Sequence, residues 1–354
     1  MALASTGSYY KLFLKGEASF ILFLQNVLDE DNMFFLRLSK YCETSYAIGI
    51  LFPVFASLDT KLGFQVLLVS SFSEWGSTLL KWILAEPRPY WWVQEEKLNI
   101  PLRQSELTCE TGPGSPSGHV MCCAALQYVF LHWLIVWCNE SFTNEWAKYK
   151  NPILGFFWIV YISLIVLIAV ARVNIAAHFP HQCIFGATLG YLLANFLIDD
   201  PEWGVSHGLL KLPKTKMFAL AVFFSLLSGC VYGAHLLLGY DPGWSIKLAF
   251  KWCRRPDTVS VYTTPIYCLV RDAGCFIGLG LASPIKERKF YPIVGAIVTT
   301  LFFVSTRLLK PMMPNNDPFQ FYLFHFLDNT FISVCLLTVI PYIASLVKLK
   351  EKVN

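Results

Sequence analysis

Charge is what this chain has least of. Only 15% of its 354 residues are Asp, Glu, Lys or Arg, against about 25% in ordinary soluble domains. That scarcity argues against a soluble fold. No basic block or basic-aromatic stripe accompanies the net charge of +4, so nucleic acid is excluded as a partner. No polar linker or low-complexity stretch divides the chain, and one integral domain over residues 1–354 is expected. The eleven cysteines show neither CxxC pairs nor Cys/His metal spacing, which leaves most of them as small apolar residues. Cys109, Cys253 and Cys275 lie in or near loops and are candidates for a disulfide that sequence alone does not pair. No basic start runs directly into an apolar core with a cleavage site, so the first spanning helix is expected to act as the targeting signal.

What is abundant is apolar length. Hydrophobic residues make up 55% of the chain and aromatic residues 16%. A bilayer core needs about 20 mainly apolar residues per helix. Candidate spans fall at 41–58, 62–84, 117–137, 152–171, 182–198, 216–238, 264–284, 290–310 and 321–347. The expected fold is therefore an all-α polytopic membrane protein with about nine transmembrane helices. Residues 11–38 mix apolar and charged positions and suggest an interfacial helix. An odd number of spans puts the termini on opposite faces. Counting Lys and Arg divides the twenty-eight basic residues too evenly to orient the chain,. The end "KEKVN", with Lys350 and Lys352, resembles a dilysine retrieval signal, which makes the C-terminus cytosolic and the N-terminus lumenal. The sequon at Asn139 then falls on the cytosolic side and is expected to be unmodified.

Three polar interruptions arrive at the lumenal face. In "KWILAEPRPYWW", Lys81 and Arg88 are seven apart, which on a helix places them on one face, two turns apart. Tyr90, Trp91 and Trp92 suggest an interfacial aromatic belt. In "CETGPGSPSGHVM", a Pro/Gly/Ser loop ends at Ser117, Gly118 and His119 as an apolar helix begins. Its backbone N–H groups and dipole suit an anion, although Ser117 also reads as a simple N-cap. In "ARVNIAAHFPHQ", Arg172 precedes His178 by six residues, and His181 and Gln182 follow. Three cations, a helix N-terminus and two histidines suit a phosphate dianion, whose charge would offset the cost of cations near a membrane. No carboxylate cluster stands beside them to hold magnesium, so neither a metal nor a cofactor is expected.

These segments match K-x6-R-P (Lys81 to Pro89), P-S-G-H (Pro116 to His119) and S-R-x5-H-x3-D (Arg172 to Gln182), the signature of the phosphatidic acid phosphatase type 2 superfamily. The fuller strings "KWILAEPRPYWWV", "CETGPGSPSGH" and "AAHFPHQ", with "KWCRRPDTV" and "TTPI" further on, resemble the glucose-6-phosphatase catalytic subunits. The likeness is strongest within 81–182 and weaker over the helices of 200–347.

The resemblance implies a metal-independent hydrolase that cleaves D-glucose 6-phosphate to glucose and phosphate at the lumenal face of the endoplasmic reticulum. It implies His178 as the nucleophile forming a phosphohistidine, and His119 as the proton donor. Lys81, Arg88, Ser117, Gly118 and Arg172 are implied as phosphate-binding residues. Separately from the resemblance, a nearby carboxylate such as Glu110 is a candidate to keep His119 protonated. Lumenal catalysis implies functional coupling to a glucose-6-phosphate transporter. Two positions depart from the superfamily pattern. Ala171 replaces serine and removes a phosphate hydrogen bond, while Gln182 stands where an aspartate orients the nucleophile, as glutamine does in the glucose-6-phosphatase branch. The alternatives are a lipid phosphate phosphatase or phosphotransferase, which typically has six spans, and a weakly active regulatory paralogue.

Overall fold

The computed structural model describes residues 7–28, 33–42, 55–56, 60–142, 147–199, 208–209, 212–286, 288, 290–309 and 317–347. Among them there is no strand, and a lone bridge pairs Glu110 with Ser260. The helices are α1 (Ser8–Val27), α2 (Met33–Tyr41), α3 (Thr60–Leu84), α4 (Pro89–Glu95), α5 (Gly118–Ser141), α6 (Ala147–Asn174), α7 (Pro180–Asp199), α8 (Lys214–Leu237), α9 (Trp244–Trp252), α10 (Pro265–Ala282), α11 (Pro292–Leu309) and α12 (Pro318–Val334). A π-helical turn, Cys335–Val339, joins α12 to α13 (Ile340–Ser345).

Among the described residues, six helical stretches are long and apolar enough to cross a bilayer: Gly118–Ser141, Ala147–Asn174, Pro180–Ile198, Lys214–Leu237, Pro265–Ala282 and Pro318–Ser345. Helix α6 leaves Phe156, Ile159, Ile162 and Val166 exposed, a surface that suits lipid rather than water. The protein is an all-α, multi-pass membrane protein. Of the other three expected spans, 41–58 lies almost wholly outside the described residues, and α11 is apolar only over the shorter Ile293–Leu309. The second, α3, has 25 residues but falls outside the apolar set among the described residues. The reason is local: Ser70, Ser71, Glu74, Ser77, Thr78 and Lys81 turn one side of it to an internal cavity. The interfacial helix expected over 11–38 is two helices, and α1 buries Leu14, Ala18, Ile21 and Gln25.

Two apolar clusters organise the chain. One fills the bundle, with Phe64, Leu68, Leu126, Val129, Leu197, Phe276 and Leu336 at its centre. The other lies under the loops around the polar segments and contains Trp91, Trp92, Val120, Phe179 and Ala249. The belt expected of Tyr90, Trp91 and Trp92 is thus a core, because each is buried to 2% exposure or less. Trp91 meets Trp244 at 5.6 Å and Trp92 meets Phe179 at 5.8 Å, both edge-on, as aromatic quadrupoles favour.

Close helix packing sets the site's position. A Cβ added at Gly186 would lie 2.7 Å from the Ser117 carbonyl oxygen, and one at Gly190 would strike the backbone of Met121. These glycines, four apart on α7, let it press against the first turn of α5, as small residues do in membrane bundles. The start of α5 is thereby held beside the loop that precedes α7.

Candidate active site

Prolines shape the first segment. Helix α3 stops at Leu84, and Ala85 takes a left-handed φ of 49°. Glu86 and Arg88 each precede a proline, which disfavours helical backbone, and Arg88 is extended at φ −102°, ψ 149°. The single helical face expected to carry both Lys81 and Arg88 therefore does not form. Arg88 turns inward and is fully buried. Lys81 stays on α3, where a Cβ at Gly118 would be 3.7 Å from its Nζ.

The second segment is pinned at both ends. Cys109 is disulfide-bonded to Cys253, 144 residues away, which supplies the pairing that sequence left open; Cys275 is a free thiol in α10. Thr111 N donates to Thr263 Oγ1 at 3.0 Å, and Gly114 N donates to the Glu86 carbonyl at 2.8 Å. Gly114 has no room for a side chain, since a Cβ there would lie 2.6 Å from Gln182 Nε2. Ser117 is the N-cap residue of α5, but its hydroxyl makes no capping bond. Its N–H donates to the Gln182 carbonyl at 3.0 Å, so the expected set of helix-terminal donors lacks that group.

In the third segment Arg172 occupies the last turn of α6. Ala176 then takes a φ of 53°, and His178 sits in the turn before α7 with no exposed surface. Its Nδ1 is 2.8 Å from the Gly114 carbonyl oxygen. A carbonyl only accepts, so Nδ1 carries the proton and Nε2 presents its lone pair.

The three segments converge on one carboxylate. Glu110 Oε2 is 2.8 Å from Arg88 Nη2, and Oε1 pairs with Arg172 Nη2. His119 Nδ1 and His178 Nε2 each lie 3.9 Å from a Glu110 oxygen. Arg88 is aimed by three carbonyls: Nε donates to Gly112 at 2.5 Å, Nη1 to Ala177 at 3.0 Å and Nη2 to Pro113 at 3.2 Å. Arg172 Nη1 donates to Ser39 Oγ at 2.7 Å, while its Nε is buried without a hydrogen bond among the described residues. Burial alone would raise the Glu110 pKa, but Arg172 and Arg88 hold it well below the usual carboxylate range,. Burial, then the charges of Arg88 and Arg172, push His178 well below the usual imidazole range, so it is neutral at physiological pH. Lys81, Gly118, His119 and Glu110 line a common cavity of about 470 Å³.

The last two residues of the third segment, His181 and Gln182, face elsewhere. His181 sits between carboxylates, with Nδ1 2.5 Å from Glu17 Oε2 and Nε2 2.9 Å from Glu86 Oε2. The side-chain hydrogen bonds of Gln182 go to groups other than the ring of His178. Gln182 Nε2 donates to the Pro87 carbonyl at 2.9 Å and to Glu86 Oε2 at 3.1 Å, and Gln182 Oε1 accepts from Phe179 N at 3.1 Å. It braces the backbone that aims His178. Sequence reasoning missed Glu17, Ser39, Glu86 and Gly114. Only Gly114, inside a Gly/Pro-rich loop, carried a local signal of close backbone approach.

The chain resembles known proteins over most of its length. The PAP2 superfamily pattern matches residues 62–203. Mouse glucose-6-phosphatase 2 is 31% identical over 345 residues, covering 91% of this chain and 89% of that protein. The catalytic subunit 1 of cat glucose-6-phosphatase is 32% identical over 341 residues, covering 90% and 91%. Human glucose-6-phosphatase 3 is 32% identical over 315 residues, covering 85% and 86%. No solved structure matches the chain.

Proposed function

The chain belongs to the glucose-6-phosphatase family, and from that premise we propose that it hydrolyses D-glucose 6-phosphate to glucose and phosphate through a phosphohistidine. Phosphatase activity follows from the family and its superfamily; the identity of the sugar and the order of steps are our reading. The observation that carries it is Glu110. A single anion is held there by two buried guanidiniums, with a histidine nitrogen 3.9 Å away on two sides. A phosphoryl group bound in that clamp meets a nucleophile and a proton donor together.

In the proposed sequence, the neutral Nε2 of His178 attacks phosphorus and forms the P–N bond as the P–O ester bond breaks. His119 gives its proton to the departing sugar oxygen. Water then attacks phosphorus, His119 takes up a proton from it, and the P–N bond breaks to release phosphate. Arg88, Arg172, Lys81, the Ser117 hydroxyl and the Gly118 N–H stabilise charge on the three non-bridging oxygens. The buried Nε of Arg172, without a hydrogen bond among the described residues, is a donor suited to one of them. The negative charge of a bound phosphate ester beside His119 favours the protonated donor form that the first step needs.

Catalysis is assigned to the lumen of the endoplasmic reticulum, within one integral domain over residues 1–354. The Cys109–Cys253 disulfide adjoins Glu110, and such bonds persist in oxidising compartments. This supports a lumenal site, a cytosolic C-terminus and a need for a glucose-6-phosphate carrier in the same membrane. Purified protein in detergent with a chelator should release phosphate from glucose 6-phosphate, with competitive inhibition by vanadate. Activity confined to phosphatidic acid would refute the sugar reading. Latency in sealed microsomes that detergent abolishes checks the sidedness.

A further inference from the structure

The cavity of about 470 Å³ that contains Lys81, Glu110 and His119 continues into the bundle, between α3, α10 and α12. Its volume falls within the range of about 300–1,000 Å³ usual for small-molecule sites. Its deeper wall is charged. Arg271 Nη2 is 2.6 Å from Glu74 Oε2, Arg271 Nε donates to Asp272 Oδ1 at 2.9 Å, and Thr78 Oγ1 donates to Asp272 Oδ2 at 2.9 Å. Asp272 is 3% exposed. Ionic groups within a helical bundle in a membrane are costly, and by default they mark a pathway or a binding site. Apolar residues pack such an interface at equal or better stability, so packing does not explain the triad.

Geometry says what it faces. In-line transfer puts the leaving group opposite the nucleophile, and the cavity opens on His119, the proposed donor to that leaving group, rather than on His178. On α3, Thr78 and Glu74 lie one and two turns below Lys81, at a rise of about 5 and 10 Å. That depth accommodates one sugar ring beneath a bound phosphoryl group. Carboxylates accept from hydroxyls, a guanidinium donates to them, and Trp82, Tyr262 and Tyr267 also line the cavity, offering apolar ring faces to a sugar's C–H groups. An acyl chain has no group to pair with Glu74, Arg271 or Asp272.

We propose that the pocket walled by Glu74, Thr78, Arg271 and Asp272 is the site for the hydroxyl-rich leaving group of the phosphate ester. The proposal rests on the reading of this protein as a sugar-phosphate phosphatase, and it names the residues that select the sugar. Its test compares kcat/KM on glucose 6-phosphate with kcat/KM on 4-nitrophenyl phosphate, which has no sugar hydroxyls. Asp272→Asn and Thr78→Val should each lower the ratio of the two by about 10- to 100-fold, the scale of a lost hydrogen bond to a charged group. Equal losses on both substrates would overturn the assignment.

Monodeoxy analogues of glucose 6-phosphate test the wild-type protein without any question of folding. At least one should lose tenfold or more, and a series as good as the parent would overturn the pocket. If glucose 6-phosphate is not hydrolysed but another polyol phosphate is, with the same dependence on Asp272, the pocket stands and the named sugar falls. Preference for phosphatidic acid would overturn both.

Discussion

Replacing Glu110 with glutamine removes one negative charge from the clamp and almost no volume. In the free protein that carboxylate neutralises both Arg88 and Arg172, whose side chains are 0% and 1% exposed against 10% for Glu110. Removing one partner of a buried ion pair costs about 3–5 kcal/mol. The glutamine carbonyl still accepts one hydrogen bond, so about 3 kcal/mol is expected, enough to lower the melting temperature in detergent by several degrees. Binding should respond in the opposite direction. In the wild type a phosphate-like anion must displace or share the place of Glu110; in Glu110→Gln it relieves two unpaired guanidiniums. Vanadate should therefore bind up to about 100-fold more tightly, the equivalent of about 3 kcal/mol, and should raise the melting temperature more than in the wild type. Turnover should fall because product phosphate, like vanadate, is held more tightly by the two unpaired guanidiniums. Melting curves across a vanadate series, with kcat measured on the same preparation, supply both readouts. Unchanged stability together with weaker vanadate binding would refute the placement of Glu110 within the anion clamp.

The same carboxylate sets an acid limit. Its folded pKa lies well below the ordinary carboxylate value of 4.5, so the stability it contributes is complete above that value and is lost as pH falls through the depressed folded one. Melting temperatures below pH 4.5 should drop more steeply in the wild type than in Glu110→Gln, and parallel slopes would refute this. Phosphoenzyme label trapped in base should disappear in His178→Ala and persist in His181→Ala, since His181 is committed to Glu17 and Glu86. Loss of label in His181→Ala alone would reassign the nucleophile. Cys109→Ser, Cys253→Ser and the double variant should lose similar stability, about 2–5 kcal/mol in the chain-entropy range; a double variant much worse than either single would mean the two thiols act separately. Gln182→Asp should be less stable and less active than wild type, because a second carboxylate would face Glu86, now 3.1 Å from the Gln182 amide nitrogen. Activity at or above wild type would refute that reading.

Sequence revealed the parts of the site that local pattern encodes. Arg172 and His178 have a fixed spacing across a helix end, and Ser117 to His119 mark a helix start, so their convergence was legible once the helices were placed. Lys81 and Arg88 show the limit of periodicity. Seven residues promised a shared face, but Pro87 and Pro89 ended the helix and sent Arg88 inward. The tryptophans misled for a similar reason. Aromatics at a membrane edge are usually interfacial, yet here the loops and α9 cover Trp91 and Trp92. Ser39 and Glu17 were invisible because they reach the site across 133 and 164 residues, and no short-range signal encodes such contacts. The polar side of α3 is not legible in the span expected at 62–84, because Ser70, Glu74 and Thr78 face a cavity that only the packed helices form.

Glutamine at position 182 raises an electrostatic question that the geometry answers. As a nucleophilic histidine takes on a phosphoryl group its ring becomes cationic, and an aspartate behind it would stabilise that charge. Among the described residues, Nδ1 of His178 bonds the Gly114 carbonyl, which fixes the tautomer but offers partial rather than full negative charge. Arg88 and Arg172 oppose a cation at the same place. The compensating charge stands in front of the ring, where Glu110 approaches Nε2 at 3.9 Å and His119 at the same distance. A phosphoryl group bound between the two guanidiniums takes that place, and once the P–N bond forms its own non-bridging oxygens carry the negative charge that balances the cationic ring. Gln182 is left to hold Pro87, Glu86 and Phe179 in register, a bracing task for which a neutral amide with one donor side and one acceptor side is better suited than a carboxylate.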